Sequence, residues 1–197
     1  MFVIGLTGTI GSGKSTVTGL LKDHGATTID CDKTVHELYS KNKKARKEIK
    51  ELFGVEAFKG RQIDRGRIAE IVFSDKKLLK KLNALIHPLV EKNVLQELKK
   101  TKKGMVVIDA PLLFEAGLDR FCDLLIFVRC GKTERLKRLK KKGISPKETE
   151  RREIVGLPEK KKISLCDGII DTSRGLDKTK KQVGALLCNL RALEMIE

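Results

Sequence analysis

The chain has 197 residues, of which 40% are hydrophobic and 35% are charged, and it carries a formal charge of +16 at pH 7. This size suits one folded domain with a substantial core, and no segment approaches the ~20 consecutive apolar residues of a transmembrane helix. The apolar opening FVIGL leads into glycines and a lysine, unlike a signal peptide, so we expect a cytoplasmic protein that does not associate with membranes.

The excess positive charge is concentrated in runs such as 99–103 and 136–142. Such runs indicate nucleic acid, acidic lipid or small polyanions as partners, although part of the charge could instead reflect heat adaptation. The chain has no Trp and one Tyr, whereas sequence-tolerant binding of single strands usually needs aromatic stacking platforms. This scarcity of aromatic residues disfavours a nucleic-acid partner without excluding one, and we expect none. The five cysteines are scattered without a Cys/His cluster, so we expect reduced thiols packed as small hydrophobes.

Five short apolar segments predict β-strands. They alternate with helical patterns, such as Val17, Leu20 and Leu21 after the first segment, which predicts an α/β fold with a parallel sheet covered on both faces. The predicted strands are 2–6, 26–30, 105–110, 123–129 and 167–171. The core of the fold is expected at about 1–39, 104–142 and 165–197.

The interval between the second and third predicted strands is too long for a single crossover helix. Apolar stripes at helical spacing predict a helical insertion over about 40–103. Pro88 disfavours helical backbone at His87 and suits the first turn of a new helix, so we expect one helix to end and another to begin there. A second insertion, about 143–164, is charged and lacks apolar periodicity, and we expect it to form a mobile lid.

Residues 8–15, GTIGSGKS, match the pattern G-x-x-x-x-G-K-[ST] between a predicted buried strand and a helix. Glycines let successive N–H groups face phosphate oxygens, and the amino terminus of the helix adds positive partial charge. We expect Lys14 to reach the β- and γ-phosphates and the Ser15 hydroxyl to join the shell of a Mg²⁺ ion. A glycine-rich turn that binds nothing would leave the lysine unexplained. The motif therefore predicts nucleotide binding.

Asp109 ends a predicted strand where proteins with this loop hold magnesium by an aspartate, directly or through water. The alternative is an ordinary aspartate at a strand end. The base-reading motif N-K-x-D of GTPases is missing from the sequence, and the helical insertion and basic lid favour phosphoryl transfer to a small molecule. Rival hypotheses are a nucleoside-monophosphate, shikimate or gluconate kinase and, from another class, a nucleotide-dependent nucleic-acid-binding regulator.

Four stretches together resemble the dephospho-coenzyme A kinase family: LTGTIGSGKSTV (6–17), IDCD (29–32), the segment 63–90 and DAPLLFEAGLD (109–119). The resemblance spans nearly the whole chain. It implies a P-loop NTPase fold of the nucleoside-monophosphate-kinase type, with a five-stranded parallel sheet flanked by helices, a helical coenzyme A-binding insertion and a lid. It also implies Mg²⁺-dependent transfer of the γ-phosphoryl group of ATP to the ribose 3′-hydroxyl of dephospho-CoA, the last step of coenzyme A synthesis, with no obligatory protein partner.

The resemblance further implies roles for single residues. It places Thr7 beside the reacting groups and Arg138 against the phosphates, where the alternative is an exposed helix arginine. For His87, a place at a helix junction remains an alternative to substrate contact. The implied ATP-binding residues are Gly11, Ser12, Gly13, Lys14, Ser15 and Thr16. The implied acceptor-side residues are His87, Pro88, Pro111, Leu112 and Glu115.

The stretch IDCD contains two candidate acids. A strand running through both would put Asp30 and Asp32 on one face with Cys31 opposite, at the sheet edge where parallel sheets bind ligands. Asp32 also suits the cap of the following helix. The resemblance implies Asp32 as catalytic base and Asp30 as a supporting residue. The sequence departs from the family at Gly156, where lids commonly carry Gln, and at Thr172, where Asn is frequent.

Overall fold

The computed structural model describes residues 1–196, apart from the side chains at 147, 151 and 152. In chain order its elements are β1 (Phe2–Gly8), α1 (Lys14–Asp23), β2 (Thr27–Asp30), α2 (Cys31–Lys41), α3 (Lys43–Phe53), β3 (Phe58–Lys59), β4 (Gln62–Ile63), α4 (Arg65–Ser74), α5 (Lys76–Lys100), β5 (Met105–Asp109), β6 (Leu124–Arg129), α6 (Lys132–Lys141), α7 (Pro146–Ile154), α8 (Glu159–Ser164), β7 (Gly168–Asp171) and α9 (Leu176–Ala192). Short 3₁₀ helices cover Val55–Ala57 and Asp119–Phe121.

The chain divides into two compact units, Met1–Asp30 with Glu97–Glu197 and Cys31–Gln96. The first unit contains a five-stranded sheet in the order β2-β5-β1-β6-β7, in which every neighbouring pair is parallel. The predicted parallel sheet is therefore confirmed. The assignment of about 40–103 to acceptor binding and of about 143–164 to a lid stays a prediction.

The core of the first unit lies between the sheet and helices α1 and α9. Val17, Leu20 and Leu21 recur at helical spacing and are buried against β1 residues such as Ile4 and Leu6. α9 contributes Val183, Leu187 and Leu190 at the same spacing. Because β1 is central and buried from Val3 to Gly8, the loop that follows it begins from a fixed strand end.

The second unit is helical apart from the two-stranded pairing of β3 with β4. Asn42 and Asp64 cap α3 and α4, each accepting a hydrogen bond from the backbone N–H three residues later. Burial raises the pKa of Tyr39, partly opposed by the positive charge of Arg65. In the apolar stripe predicted for α3, Ala45, Ile49 and Phe53 are buried.

The predicted helix break at Pro88 is wrong. α5 runs without interruption from Lys76 to Lys100 and contains Pro88 in its interior. Proline removes one helical hydrogen bond and costs about 3 kcal/mol there. The buried apolar stripe of α5 continues at intervals of four residues on both sides of the proline, and burying it outweighs that cost. The stripe consists of Leu82, Ile86, Val90, Val94 and Leu98.

Among the helices within residues 1–196, none is both long enough and apolar enough to cross a bilayer.

Candidate active site

The glycine-rich loop joins β1 to α1 in a conformation that only its glycines adopt without strain. Gly11 and Gly13 have φ angles of 78° and 88°. Gly13 is the N-cap of α1 and provides no side-chain hydrogen bond to the helix. The first backbone N–H groups of a helix have no carbonyl partner within the helix. The N–H groups of Lys14 and Ser15 therefore point out of its amino-terminal end. The loop therefore offers backbone donors and a helix dipole to an anion.

Ser12 packs inside the loop against the end of β1. Its side chain is buried, and its Oγ has no hydrogen-bond partner within residues 1–196. A Cβ on Gly8 would lie 2.8 Å from this oxygen, so the serine fits against the end of β1 because residue 8 is glycine. The Ser12 N–H donates to the Thr9 carbonyl at 3.1 Å. Binding of ATP by Ser12 stays a prediction, whereas Ser15 and Thr16 are exposed on the first turn of α1.

Lys14 and Asp109 form an ion pair directly after the loop. Asp109 is the last residue of β5 and is buried, and its second oxygen accepts a hydrogen bond from Thr18 Oγ1 at 2.6 Å. The role of Asp109 in holding magnesium, rather than as an ordinary strand-ending aspartate, stays a prediction. Thr18 was missed in the sequence, although its position four residues after Lys14 puts both on one face of a helix.

The sheet register brings a second acid to the same edge. Asp30 is paired with Asp109 across β2 and β5, and Asp109 is paired with Leu6 across β5 and β1. Because parallel strands end on one side, Asp30, Asp109 and the start of the loop all lie at the carboxyl edge of the sheet. The predicted position of the IDCD strand is confirmed.

Asp32 lies in the second unit, as do His87 and Pro88. The strand stops at Asp30 and α2 begins at Cys31, so Asp32 is the second residue of the helix, with an exposed side chain. The capping position suggested for Asp32 is therefore wrong. Cys31 is buried, as predicted. The roles of Asp32, His87 and Pro88 in catalysis and acceptor binding stay predictions.

Arg138 faces the loop from α6. Its Nη1 donates to Thr172 Oγ1 at 2.8 Å and its Nη2 to the Thr172 carbonyl at 2.8 Å, while Nε donates to Glu134 at 3.1 Å. A Cβ on Gly13 would lie 2.9 Å from Arg138 Nη1. The guanidinium thus lies against the loop backbone, and its exposed fraction is 26%. Arg138 is therefore partly buried rather than a fully exposed helix arginine, and its contact with the phosphates stays a prediction.

Three of the predicted acceptor-side residues follow β5. The carbonyl of Pro111 accepts a hydrogen bond from Thr7 Oγ1 at 3.1 Å, and Thr7 is completely buried. Glu115 is paired with Lys162 at 2.9 Å. Leu112 lies near Gly156, whose Cβ would be 3.2 Å from it. Thr7 is thus hydrogen-bonded to Pro111, and Glu115 is paired with Lys162 of α8.

No group of three or more His, Cys, Asp and Glu residues within 1–196 is arranged to hold a metal ion. Mg²⁺ does not require such a group, because it retains several waters and takes one or two carboxylates together with substrate phosphates. Ser15 and Asp109 supply the hard oxygen donors that it prefers. The residues present therefore fit a nucleotide-bound magnesium ion.

A parallel sheet whose central strand runs into a glycine-rich anion-binding loop, with a lysine held by the neighbouring strand, is the architecture of the P-loop phosphotransferases. The loop offers backbone donors suited to phosphate, and Arg138 lies beside it. The predicted fold class is confirmed.

Comparison with known proteins identifies a family within this class. A sequence model of the dephospho-CoA kinase family matches residues 2–178. The dephospho-CoA kinase of Moorella thermoacetica is 38% identical over 191 residues, which cover 94% of this chain and 90% of that one. A solved Thermus thermophilus protein has a TM-score of 0.81 at 32% identity, covering 96% of this chain and 97% of its own. The dephospho-CoA kinase of Campylobacter jejuni has a TM-score of 0.66 at 25% identity, with 95% and 96% covered.

The chain belongs to the dephospho-CoA kinase family. The resemblance inferred from its four sequence stretches is confirmed.

Proposed function

We propose that the protein transfers the γ-phosphoryl group of ATP to the ribose 3′-hydroxyl of dephospho-CoA and so forms coenzyme A, the final step of its synthesis. The observation that carries this proposal is the Lys14–Asp109 pair at the phosphate loop in a chain of this family. The pair holds the ammonium beside the loop, which lowers the cost of ordering it for catalysis.

Charge neutralisation is the main task of this site, because ATP and dephospho-CoA are both polyanions. Lys14, Arg138 and the N–H groups at the start of α1 supply positive charge on one side of the sheet edge. The formal charge of +16 favours binding of both substrates. Arg138 is held in place by Thr172, so it needs little reorganisation when negative charge spreads over the transferred group.

Magnesium accompanies ATP in this proposal. When bound, the ion would neutralise negative charge that develops on the phosphates during transfer. Ser15 would hold it through its exposed hydroxyl. Both oxygens of Asp109 already accept hydrogen bonds, from Lys14 and Thr18, so we assign Asp109 to the magnesium shell through a water molecule.

Asp32 is the proposed general base, which accepts the proton of the 3′-hydroxyl as the bond to phosphorus forms. Asp30, next to Asp109 in the sheet, is proposed as a supporting acid. We expect Asp32→Asn to keep ATP affinity and to lower kcat at least 100-fold, the lower range for a general base being about 10². We expect Asp30→Asn to have a smaller effect. Equal losses in the two variants would contradict this division of roles.

On the acceptor side we propose His87 and Pro88 in the second unit and the segment 111–115 in the first. The segment follows β5 directly, so its backbone position is fixed by the strand. A lid formed by about 143–164 would exclude water and suppress ATP hydrolysis.

A cytoplasmic location is part of the proposal. It is supported by the five free cysteines, since thiols stay reduced in that compartment. The proposal includes no nucleic-acid, membrane or protein partner.

The direct test is an acceptor panel. Purified protein is incubated with Mg·ATP and, separately, dephospho-CoA, shikimate, gluconate or a nucleoside monophosphate, and products are identified by mass. We expect that dephospho-CoA is the only acceptor in the panel that is phosphorylated, and that its product is coenzyme A. Phosphorylation of another acceptor, with none of dephospho-CoA, would reject the proposal in favour of a different small-molecule kinase.

A further inference from the structure

A buried ion pair joins α8 to the backbone after β5. Lys162 is 5% exposed, and its Nζ lies 2.9 Å from Glu115 Oε1 and donates to the Pro111 carbonyl at 2.6 Å. The same Glu115 oxygen accepts the backbone N–H of Leu157. A buried ammonium and carboxylate are costly unless paired and hydrogen-bonded, so this pair indicates a specific use for both charges.

The Pro111 carbonyl connects this pair to the phosphate loop. It accepts two hydrogen bonds, from Lys162 Nζ and from Thr7 Oγ1 at 3.1 Å. Thr7 is followed by Gly8, the first residue of the loop, and Ala110 N donates to the Leu6 carbonyl at 3.0 Å. The contact at Pro111 therefore extends the pairing of β5 with β1 beyond the strands. Asp109, the partner of Lys14, lies two residues before Pro111 in the chain.

Gly156 makes room for the pair. A Cβ at this position would lie 2.7 Å from Glu115 Oε1 and 3.1 Å from Lys162 Nζ. Its φ lies outside the left-handed region, so the backbone accepts an alanine, but the new Cβ would require the ends of Glu115 and Lys162 to move. The lack of a side chain at Gly156 is thus matched to the placement of Glu115.

We propose that Lys162 and Glu115, packed against Gly156, are positioning residues that fix the Pro111 carbonyl against Thr7 and so couple the segment carrying α8 to the phosphate loop. The proposal rests on the function proposed above. Lys162 acts through Pro111 and Thr7 and touches no substrate. Its loss frees the backbone between β5 and Glu115 and lets Thr7 and Asp109 shift relative to the loop, and a displacement of ~1 Å at such a place costs about 100-fold in rate.

The test separates positioning from stability. Lys162→Met leaves the buried carboxylate unpaired, so both the thermal midpoint and kcat fall, kcat by about ten- to 100-fold. The double variant Lys162→Met, Glu115→Gln removes both charges and keeps an acceptor for Leu157 N–H. Its thermal midpoint returns toward that of the unmodified protein, whereas its kcat stays below that of the single variant Glu115→Gln, which controls for any acceptor contact of Glu115, because Pro111 still lacks the ammonium. Recovery of kcat together with the midpoint would show a merely structural role and overturn the proposal.

Two further variants complete the design. Lys160→Met removes an exposed lysine from the same helix and should leave kcat unchanged. Gly156→Ala should displace Glu115 and reproduce the fall in kcat; a kcat within twofold of the unmodified protein would contradict the fit at Gly156. Protection of the Leu157 amide from hydrogen exchange, followed by NMR with Mg·ATP bound, is independent of turnover. If the unmodified protein forms no coenzyme A, the proposed function is rejected. If the Leu157 amide is protected from exchange equally in Lys162→Met and in the unmodified protein, the coupling of the α8 segment to the phosphate loop is rejected.

Discussion

Arg138 donates a hydrogen bond from Nη1 to Thr172 Oγ1 across 2.8 Å. The Thr172 hydroxyl has one hydrogen, which it donates to the Ser12 carbonyl at 2.6 Å. One buried hydroxyl thus links the arginine of α6 to the backbone of the phosphate loop. Thr172 thereby orients the guanidinium of Arg138.

Replacement of Thr172 by valine should weaken phosphoryl transfer. Valine removes the acceptor of Arg138 Nη1 and the donor to Ser12, which leaves two polar groups without partners at a cost of about 1–3 kcal/mol each. We expect kcat to fall about tenfold or more, since 1.4 kcal/mol corresponds to tenfold. Steady-state kinetics with saturating ATP measure this effect.

Thr172→Ser is the matched control, because it keeps the hydroxyl and removes only the methyl group. It should retain kcat within about threefold, a loss smaller than that of one hydrogen bond. Equal kcat values in the valine and serine variants would show that the hydroxyl does not orient Arg138.

Gly13→Ala should distort the phosphate loop. The φ angle of 88° disfavours alanine by about 1–2 kcal/mol, and the new Cβ would lie 2.9 Å from Arg138 Nη1. We expect the affinity for ATP to fall more than tenfold, as measured by titration calorimetry.

Gly19→Ala changes a glycine of the same helix with no atom within 4 Å of the new Cβ. Helix propensity predicts an increase of about 1 kcal/mol in the free energy of unfolding, with unchanged ATP affinity. Comparable loss of affinity in both variants would remove the special role of Gly13.

Local patterns were sufficient to predict most of the fold. The strands, α1 and the phosphate loop each depend on a short run of residues, and the structure confirms them. The predicted helix break at Pro88 is wrong because the local preference of proline is outweighed by the buried stripe that continues through α5. The contacts of Thr18 with Asp109 and of Lys162 with Glu115 join distant segments, so only the folded chain reveals them.

Asp171 should contribute to acid sensitivity. Burial opposes its ionisation, but hydrogen bonds from Ser173 and the Arg129 guanidinium prevail and lower the pKa of this carboxyl from 3.8 to about 2. Because the folded-state pKa is below the unfolded value, the ionised group stabilises the fold above about pH 4, and this stabilisation is lost as pH falls toward 2.

Urea unfolding of the Asp171→Asn variant measures that contribution. The variant should be less stable than the unmodified protein at pH 6, and the difference in the free energy of unfolding should shrink as pH falls from 4 to about 2. Asp23→Asn, an exposed carboxylate at the end of α1, serves as control and should show a smaller change. A difference for Asp171→Asn that is constant with pH would contradict the assigned pKa.

The cysteines should differ in reactivity. Burial, together with the negative charges of Asp119 and Asp123, raises the pKa of Cys122 to about 12. Burial and the charge of Asp167 raise the pKa of Cys166 to about 11. Both thiols therefore stay protonated at pH 8 and react slowly with iodoacetamide, whereas the exposed Cys188 should be alkylated first. Peptide mass spectrometry can follow alkylation of each cysteine over time. Equal rates for Cys122 and Cys188 would contradict this order.

The central claim is phosphoryl transfer from ATP to dephospho-CoA at the phosphate loop. The most direct measurement incubates the protein with Mg²⁺, dephospho-CoA and ATP labelled in its γ-phosphate, and follows the label into the ribose 3′-phosphate of coenzyme A. We predict labelled coenzyme A with the unmodified protein and at least a 100-fold lower rate with Lys14→Met, since a lost charge contact in the transition state is worth several kcal/mol. Binding of ATP without any labelled coenzyme A would contradict the account.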